Sequence, residues 1–182
     1  MPHAAPFRLA IRPFTGADFA AVTRIYAHHV AHGRATFELV PPGEAEIARR
    51  WSAVQSLGLA WIVASLDDGL IVGYAYASAY RPRIGYRFTV EDSVSVDPSY
   101  AGRGVGGLLL THLIERCEAA GARQMIAVIG DRANTASIHL HKKFGFLHAG
   151  MLRSVGFKFD RWVDTVLMQR SLGDGDGTFP DQ

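Results

Sequence analysis

The residues best placed to do chemistry sit in one short stretch, Ala101-Gly102-Arg103-Gly104-Val105-Gly106-Gly107. Glycines at this density let successive backbone N–H groups turn toward one point. A helix beginning at Val105 would add the positive potential of its N-terminus. Such a turn suits phosphate groups. It lacks the Gly-Lys-Ser/Thr ending of a Walker loop. It also follows several expected strands rather than the first, and the residue types downstream do not fit a dinucleotide fold. On these residues alone, an anion site and a glycine-rich connection without a ligand are equally open. Other groupings carry less. His28, His29 and His32 are not spaced like a zinc triad with a supporting acid. Cys117 is the only cysteine, which excludes an internal disulfide and a cysteine-rich metal centre, so no metal is expected.

The elements that must position this turn follow from apolar spacing. Residues 9–13 alternate as a short strand, and Thr15 with Asp18 three residues on forms a weak capping box. Phe19, Val22, Tyr26 and Val30 predict a helix to about His32. Pro41-Pro42-Gly43 breaks the chain before a second helix marked by Ile47, Trp51 and Val54, ending near Gly58. Residues 61–66 and 70–79 read as strands around the turn Asp67-Asp68-Gly69. A loop starts at Arg81-Pro82-Arg83, and 89–96 is a further strand closed by Asp97-Pro98. Val105, Leu108, Leu109, His112, Leu113 and Arg116 begin a long helix with one apolar face. Residues 124–129 form a buried strand, 134–144 a short helix, and 146–155 and 162–170 two closing strands. Asn134 and Ser137 begin that short helix and read first as its caps. Trp51, Trp61 and Trp162 read as core or interface anchors, and Cys117 as a small core residue. The order β-α-α-β-β-β-α-β-α-β-β predicts an α/β (α+β) fold, a mixed sheet with helices on both faces.

At 182 residues, the chain is expected to be one domain over 1–182, with residues 1–6 and 173–182 as flexible tails. Apolar residues make up 48%, enough for a sizeable core. Lys and Arg number 19 against 17 acids, a net +2, too even to argue for nucleic acid or an anionic membrane. No apolar run approaches the ~20 residues of a membrane span, and the first residues lack a secretory pattern. A soluble cytoplasmic protein is expected.

Val94-Ser95-Val96-Asp97-Pro98, the glycine turn and the following helix resemble the acetyl-CoA motif of the GNAT superfamily of N-acetyltransferases. Further segments resemble its phosphinothricin and methionine sulfoximine branch. These are Ala35-Thr36-Phe37-Glu38, Gly73-Tyr74-Ala75-Tyr76-Ala77, Thr89-Val90-Glu91-Asp92-Ser93-Val94, Asn134-Thr135-Ala136-Ser137-Ile138-His139-Leu140-His141 and Gly156-Phe157-Lys158. The resemblance spans nearly the whole chain and implies a mostly antiparallel central sheet with acetyl-CoA as co-substrate. Backbone amides of Gly102, Arg103, Gly104, Val105, Gly106 and Gly107 would hold its pyrophosphate. Val94, Ser95 and Val96 would line the pantetheine arm, and Asn134 and Ser137 would reach CoA.

The same resemblance implies Glu91 as the catalytic base. It places His141 where many members carry a tyrosine near the CoA sulfur, as a second catalytic residue, with a packed helix histidine as the alternative; His139, two residues away, must face elsewhere on its helix. The acceptor would meet Phe37, Tyr80, Arg81, Arg87, Thr89, Gly156 and Lys158. Ala101 departs from the family's Gln or Arg, and Ser95 from the branch's aromatic residue. The implied activity is acetyl transfer to the α-amine of a small amino acid or analogue, by direct attack in a ternary complex. Alternatives are a GNAT acting on a protein N-terminus, antibiotic or polyamine, and a non-catalytic acyl-CoA-binding module. A homodimer is the implied assembly, with no nucleic-acid or membrane partner.

Overall fold

The computed structural model describes residues 8–180. Its strands are β1 (Leu9–Pro13), β2 (Trp61–Leu66), β3 (Ile71–Ala79), β4 (Thr89–Val96), β5 (Gln124–Gly130), β6 (Leu147–Lys158) and β7 (Arg161–Ser171). They form one sheet in the order β1-β2-β3-β4-β5-β7-β6. Every neighbouring pair is antiparallel except β4 and β5. A parallel pair needs a crossover, and helix α3 (Val105–Ala119) is that crossover. The other helices are α1 (Phe19–His32), α2 (Glu44–Ser56) and α4 (Thr135–Lys143).

Strand alternation divides the core in two. Trp61 and Val63 of β2 face α1 and α2, where they are buried with Phe14, Val22, Ile25 and Val54. Ile62 and Ala64 face the other way, onto Leu109, Leu110 and Leu113 of α3. The expected mixed sheet with helices on both faces is therefore the observed architecture. The entry to α1 also follows the predicted cap: Thr15 N–H donates to the Asp18 carboxylate at 2.8 Å. Arg12 grips both oxygens of the same carboxylate at 2.7 Å, and this bond chiefly holds the Asp18 carboxyl below its ordinary range.

The closing hairpin departs from the reading. Both strands run further than the spacing predicts because Phe159 and Asp160 reverse the chain with φ of 50° and 55°. That is the backbone of a tight primed turn, which usually announces itself as Asn-Gly or Asp-Gly and does not do so here. Of the expected tails, residues 1–7 and 181–182 lie outside the described residues. Residues 173–180 are a run of turns held by Arg123, which donates to the Thr178 hydroxyl at 3.1 Å and lies 3.6 Å from Asp174. Among the described residues, no helix is long and apolar enough to cross a membrane.

Candidate active site

The parallel strands part company early. β4 and β5 pair from Thr89 with Gln124 to Asp92 with Ala127, yet β4 continues to Val96 and β5 to Gly130. A cleft of about 1150 Å³ opens where they separate. On its other side β4 stays paired with β3 as far as Val96, and Asp97 N–H donates to Val72 at 2.8 Å. Backbone groups alternate sides in an antiparallel pair, so those of Val94 and Val96 point into the gap. His29 meets one of them, its Nε2–H donating to the Val96 carbonyl at 2.8 Å. Burial lowers the pKa of His29 despite that carbonyl, which can only accept and so places a ring proton on Nε2.

The glycine turn stands at one end of the cleft. Gly102 and Gly104 have φ of 75° and 85°, a left-handed backbone that favours glycine, and only open space lies where a Cβ would be. Gly104 is the N-cap of α3 and no side chain caps that helix. Leu108 is the residue whose N–H reaches back to Gly104, at 3.1 Å, so the N–H groups of Val105, Gly106 and Gly107 have no acceptor within the helix. An open nest of amides at the start of a fifteen-residue helix fits a pyrophosphate. Arg103 lies 5.3 Å from the Tyr100 ring centre. The opposite wall is the start of α4, where Asn134 caps the helix by accepting from Ser137 N–H at 3.3 Å.

Glu91 lies further along β4, half-buried in the cleft and without a hydrogen-bond partner among the described residues. Its strand is central, so it is not a solvated edge acid. Burial raises its pKa, the charge of Asp92 raises it further, and Arg81 offsets part of the effect. Tyr26, Thr36, Phe37, Tyr76 and Ser93 line the cleft around it.

The segment 34–38 forms a strap across this end. Lys158 Nζ donates to the Thr36 carbonyl at 2.9 Å, and Arg34 pairs with Asp131. Tyr26 and Arg50 each donate to Glu38 at 2.7 Å. A Cβ on Gly130 would lie 2.6 Å from the strap's carbonyls, and one on Gly156 would overlap the Phe37 ring.

His141 is 4% exposed. Its Nε2 is 3.0 Å from Asp92 and its Nδ1 2.7 Å from the Ser137 carbonyl, so neither nitrogen is free to reach a CoA sulfur. Burial opposes its charge, but the bond to Asp92, the Asp92 charge and the Ser137 carbonyl together raise its pKa. His139 is exposed at the cleft rim, as the helical spacing requires.

Of the implied acceptor residues, Phe37 lines the cleft, and Tyr80, Arg81, Arg87, Thr89, Gly156 and Lys158 are not among its lining residues. Arg81 lies over the Tyr80 ring at 4.6 Å and Arg87 over Phe88 at 4.4 Å, both guanidinium groups on the exposed loop after β3. Thr89 starts β4, while Gly156 and Lys158 support the strap.

Residues 23–146 match the acetyltransferase (GNAT) family. The chain belongs to that family. This acetyltransferase is 56% identical over 164 residues to a phosphinothricin N-acetyltransferase of Alcaligenes faecalis, covering 90% of this chain and 83% of the relative. It is 38% identical to an L-methionine sulfoximine/L-methionine sulfone acetyltransferase of Salmonella typhimurium, covering 90% and 95%. Among solved structures it resembles a phosphinothricin acetyltransferase of Sinorhizobium meliloti in complex with acetyl-CoA. That match has a TM-score of 0.93 at 46% identity and covers 96% and 94% of the two chains. It is therefore an N-acetyltransferase that uses acetyl-CoA, and its sheet is the GNAT fold. Sequence reasoning missed Asp92, His29 and Tyr26 in this site. Asp92 left one trace, an acid in step with Val90, Val94 and Val96 on one face of the strand.

Proposed function

We propose that this acetyltransferase transfers acetyl to the α-amine of a small amino acid or analogue of the methionine sulfoximine and phosphinothricin class, by direct attack with both substrates bound. The observation that carries the reading is Glu91, an unpaired carboxylate in the cleft whose surroundings raise its pKa. Similarity to acetyltransferases of that class supports the choice of acceptor.

Acetyl-CoA, when bound, supplies the acetyl group as an activated thioester. Backbone N–H groups from Gly102 through Arg103, Gly104, Val105 and Gly106 to Gly107 hold the pyrophosphate. The gap-facing backbone of Val94 and Val96, with Ser95 between them, pairs with the pantetheine arm, and Asn134 and Ser137 close the far wall. Ala101 removes a side-chain contact at that corner and leaves the amides intact. A β4 N–H also steadies the charge developing on the acetyl oxygen, an effect worth ~3 kcal/mol per donor. Glu91 takes the ammonium proton directly or through a water, so that a neutral amine attacks. Arg81 and Arg87 answer the acceptor's acidic groups. Phe37, Tyr80 and Thr89 shape its pocket, with Gly156 and Lys158 behind the strap.

The hairpin supports a homodimer. Phe157, Phe159 and Trp162 are 54%, 51% and 66% exposed, an apolar surface fit to pack against a second copy. The reading is of a cytoplasmic enzyme with small-molecule partners, and neither nucleic acid nor a membrane takes part.

The test is thiol release from acetyl-CoA with methionine sulfoximine, methionine sulfone, phosphinothricin, ordinary amino acids, a polyamine and an N-terminal peptide. Fast release with the first three is expected. Release only with the polyamine or peptide would overturn the acceptor class. Silence throughout, with acetyl-CoA bound, would favour a binding module.

A further inference from the structure

Asp92 is the last residue of β4 paired with β5, so it marks the point where the cleft begins. Its side chain is 2% exposed and that of His141 5%. His141 comes from α4, which follows β5 and forms the opposite wall. The 3.0 Å contact between them therefore ties one wall of the cleft to the other. Phe146 stands edge-on to the imidazole, with ring centres 4.9 Å apart. The Ser137 carbonyl can only accept, so Nδ1 carries a proton, and Nε2 faces the Asp92 carboxyl group.

A buried ion pair is seldom more stable than well-packed apolar residues of the same size. Stability alone does not account for it. One oxygen of the carboxylate is compensated by His141; the other, Oδ1, is buried and has no hydrogen-bond partner. Its charge acts on the groups around it. Glu91 is the next residue on the strand, and Cys117 reaches the same place from α3, its thiol pushed up to about 12 by burial first and by Asp92 next. The other titratable groups facing Glu91 are Arg81, which pulls in the opposite direction, and Tyr76 of β3.

We propose that Asp92 and His141 are positioning residues, a buried pair that braces the apex of the cleft and acts on Glu91 through the charge of Asp92. Neither residue needs to touch the thioester. The inference rests on the reading of Glu91 as base, and the two can be tested apart.

Opposite substitutions give opposite signs. Asp92→Asn keeps the shape and removes the charge, so the acid limb of the kcat/KM–pH profile moves to lower pH. His141→Gln removes the neutralising cation, so the limb moves to higher pH. Each shift should reach about half a pH unit or more, with the KM for acetyl-CoA unchanged within about threefold. Limbs that stay in place, or move together, in folded variants would overturn the proposal. Glu91→Gln separates the two readings: full activity there would refute the base but leave the pair testable. The same opposite shifts would then be read from Glu91 by carboxyl carbon NMR. If neither variant folds, nitrogen NMR of His141 in the unaltered protein decides. A ring protonated on both nitrogens near pH ~7.5, above its free pKa of ~6.5, supports the pair, and a neutral ring overturns it.

Discussion

Glu91 owes its chemistry to three neighbours: the apolar sheet that buries it, the Asp92 carboxylate beside it and the Arg81 cation opposing both. Replacing it with glutamine should cut turnover by about 10²-fold or more while leaving acetyl-CoA binding intact, measured as thiol release against cofactor concentration. His141 makes a prediction about stability. Its folded pKa is raised, so its contribution is fully present below the unfolded value of ~6.5 and is lost as pH rises through the folded value. Urea midpoints should therefore fall across that alkaline window, and the fall should shrink in His141→Gln. Glu91 and His141 were both legible through the motifs around them. Asp92 was not, because its partner lies 49 residues away and only the folded chain brings them together.

Elements divide the labour of the site. The glycine turn was legible because its chemistry is local: residues close in sequence supply the amides, and the helix after them supplies the field. Gly104→Val should raise the KM for acetyl-CoA by about tenfold or more. A β-branched residue resists the left-handed backbone there, at ~1–3 kcal/mol, and its side chain would intrude on the open space of the turn. A thermal scan of the same variant should show only a modest loss. The separation of β4 from β5 was not legible. Residues 89–96 and 124–129 both read as strands, but nothing in their apolar patterns says that pairing stops at Asp92 and Ala127. That point depends on what packs from outside, including α4 and the strap. Ala35-Thr36-Phe37-Glu38 stood out as a motif, but its path as a strap was concealed, since residues 34–38 have no periodicity and their anchors are spread from Tyr26 to Lys158.

The molecule as a whole is a sheet whose central seam is only partly closed. On one side of the seam lie β1 to β4 under α1, α2 and α3; on the other lie β5, β7 and β6 with α4. The outer hairpin ends in exposed aromatic residues, and Trp162→Asp should convert the proposed dimer to a monomer in a sedimentation experiment. Its length was underestimated from sequence because Phe159 and Asp160 turn the chain without a glycine. The partly closed seam also bears on how such a protein can change over generations. On the proposed reading its cofactor wall is built from main-chain groups, which nearly every amino acid carries, so most substitutions along that wall leave it functional; Ser95 on β4 and Ala101 in the turn already depart from the pattern. On the same proposed reading the acceptor end is built from side chains, on a strap and an exposed loop that the cofactor wall does not depend on. Acceptor preference can therefore drift, or be selected anew, while the acetyl donor is inherited unchanged.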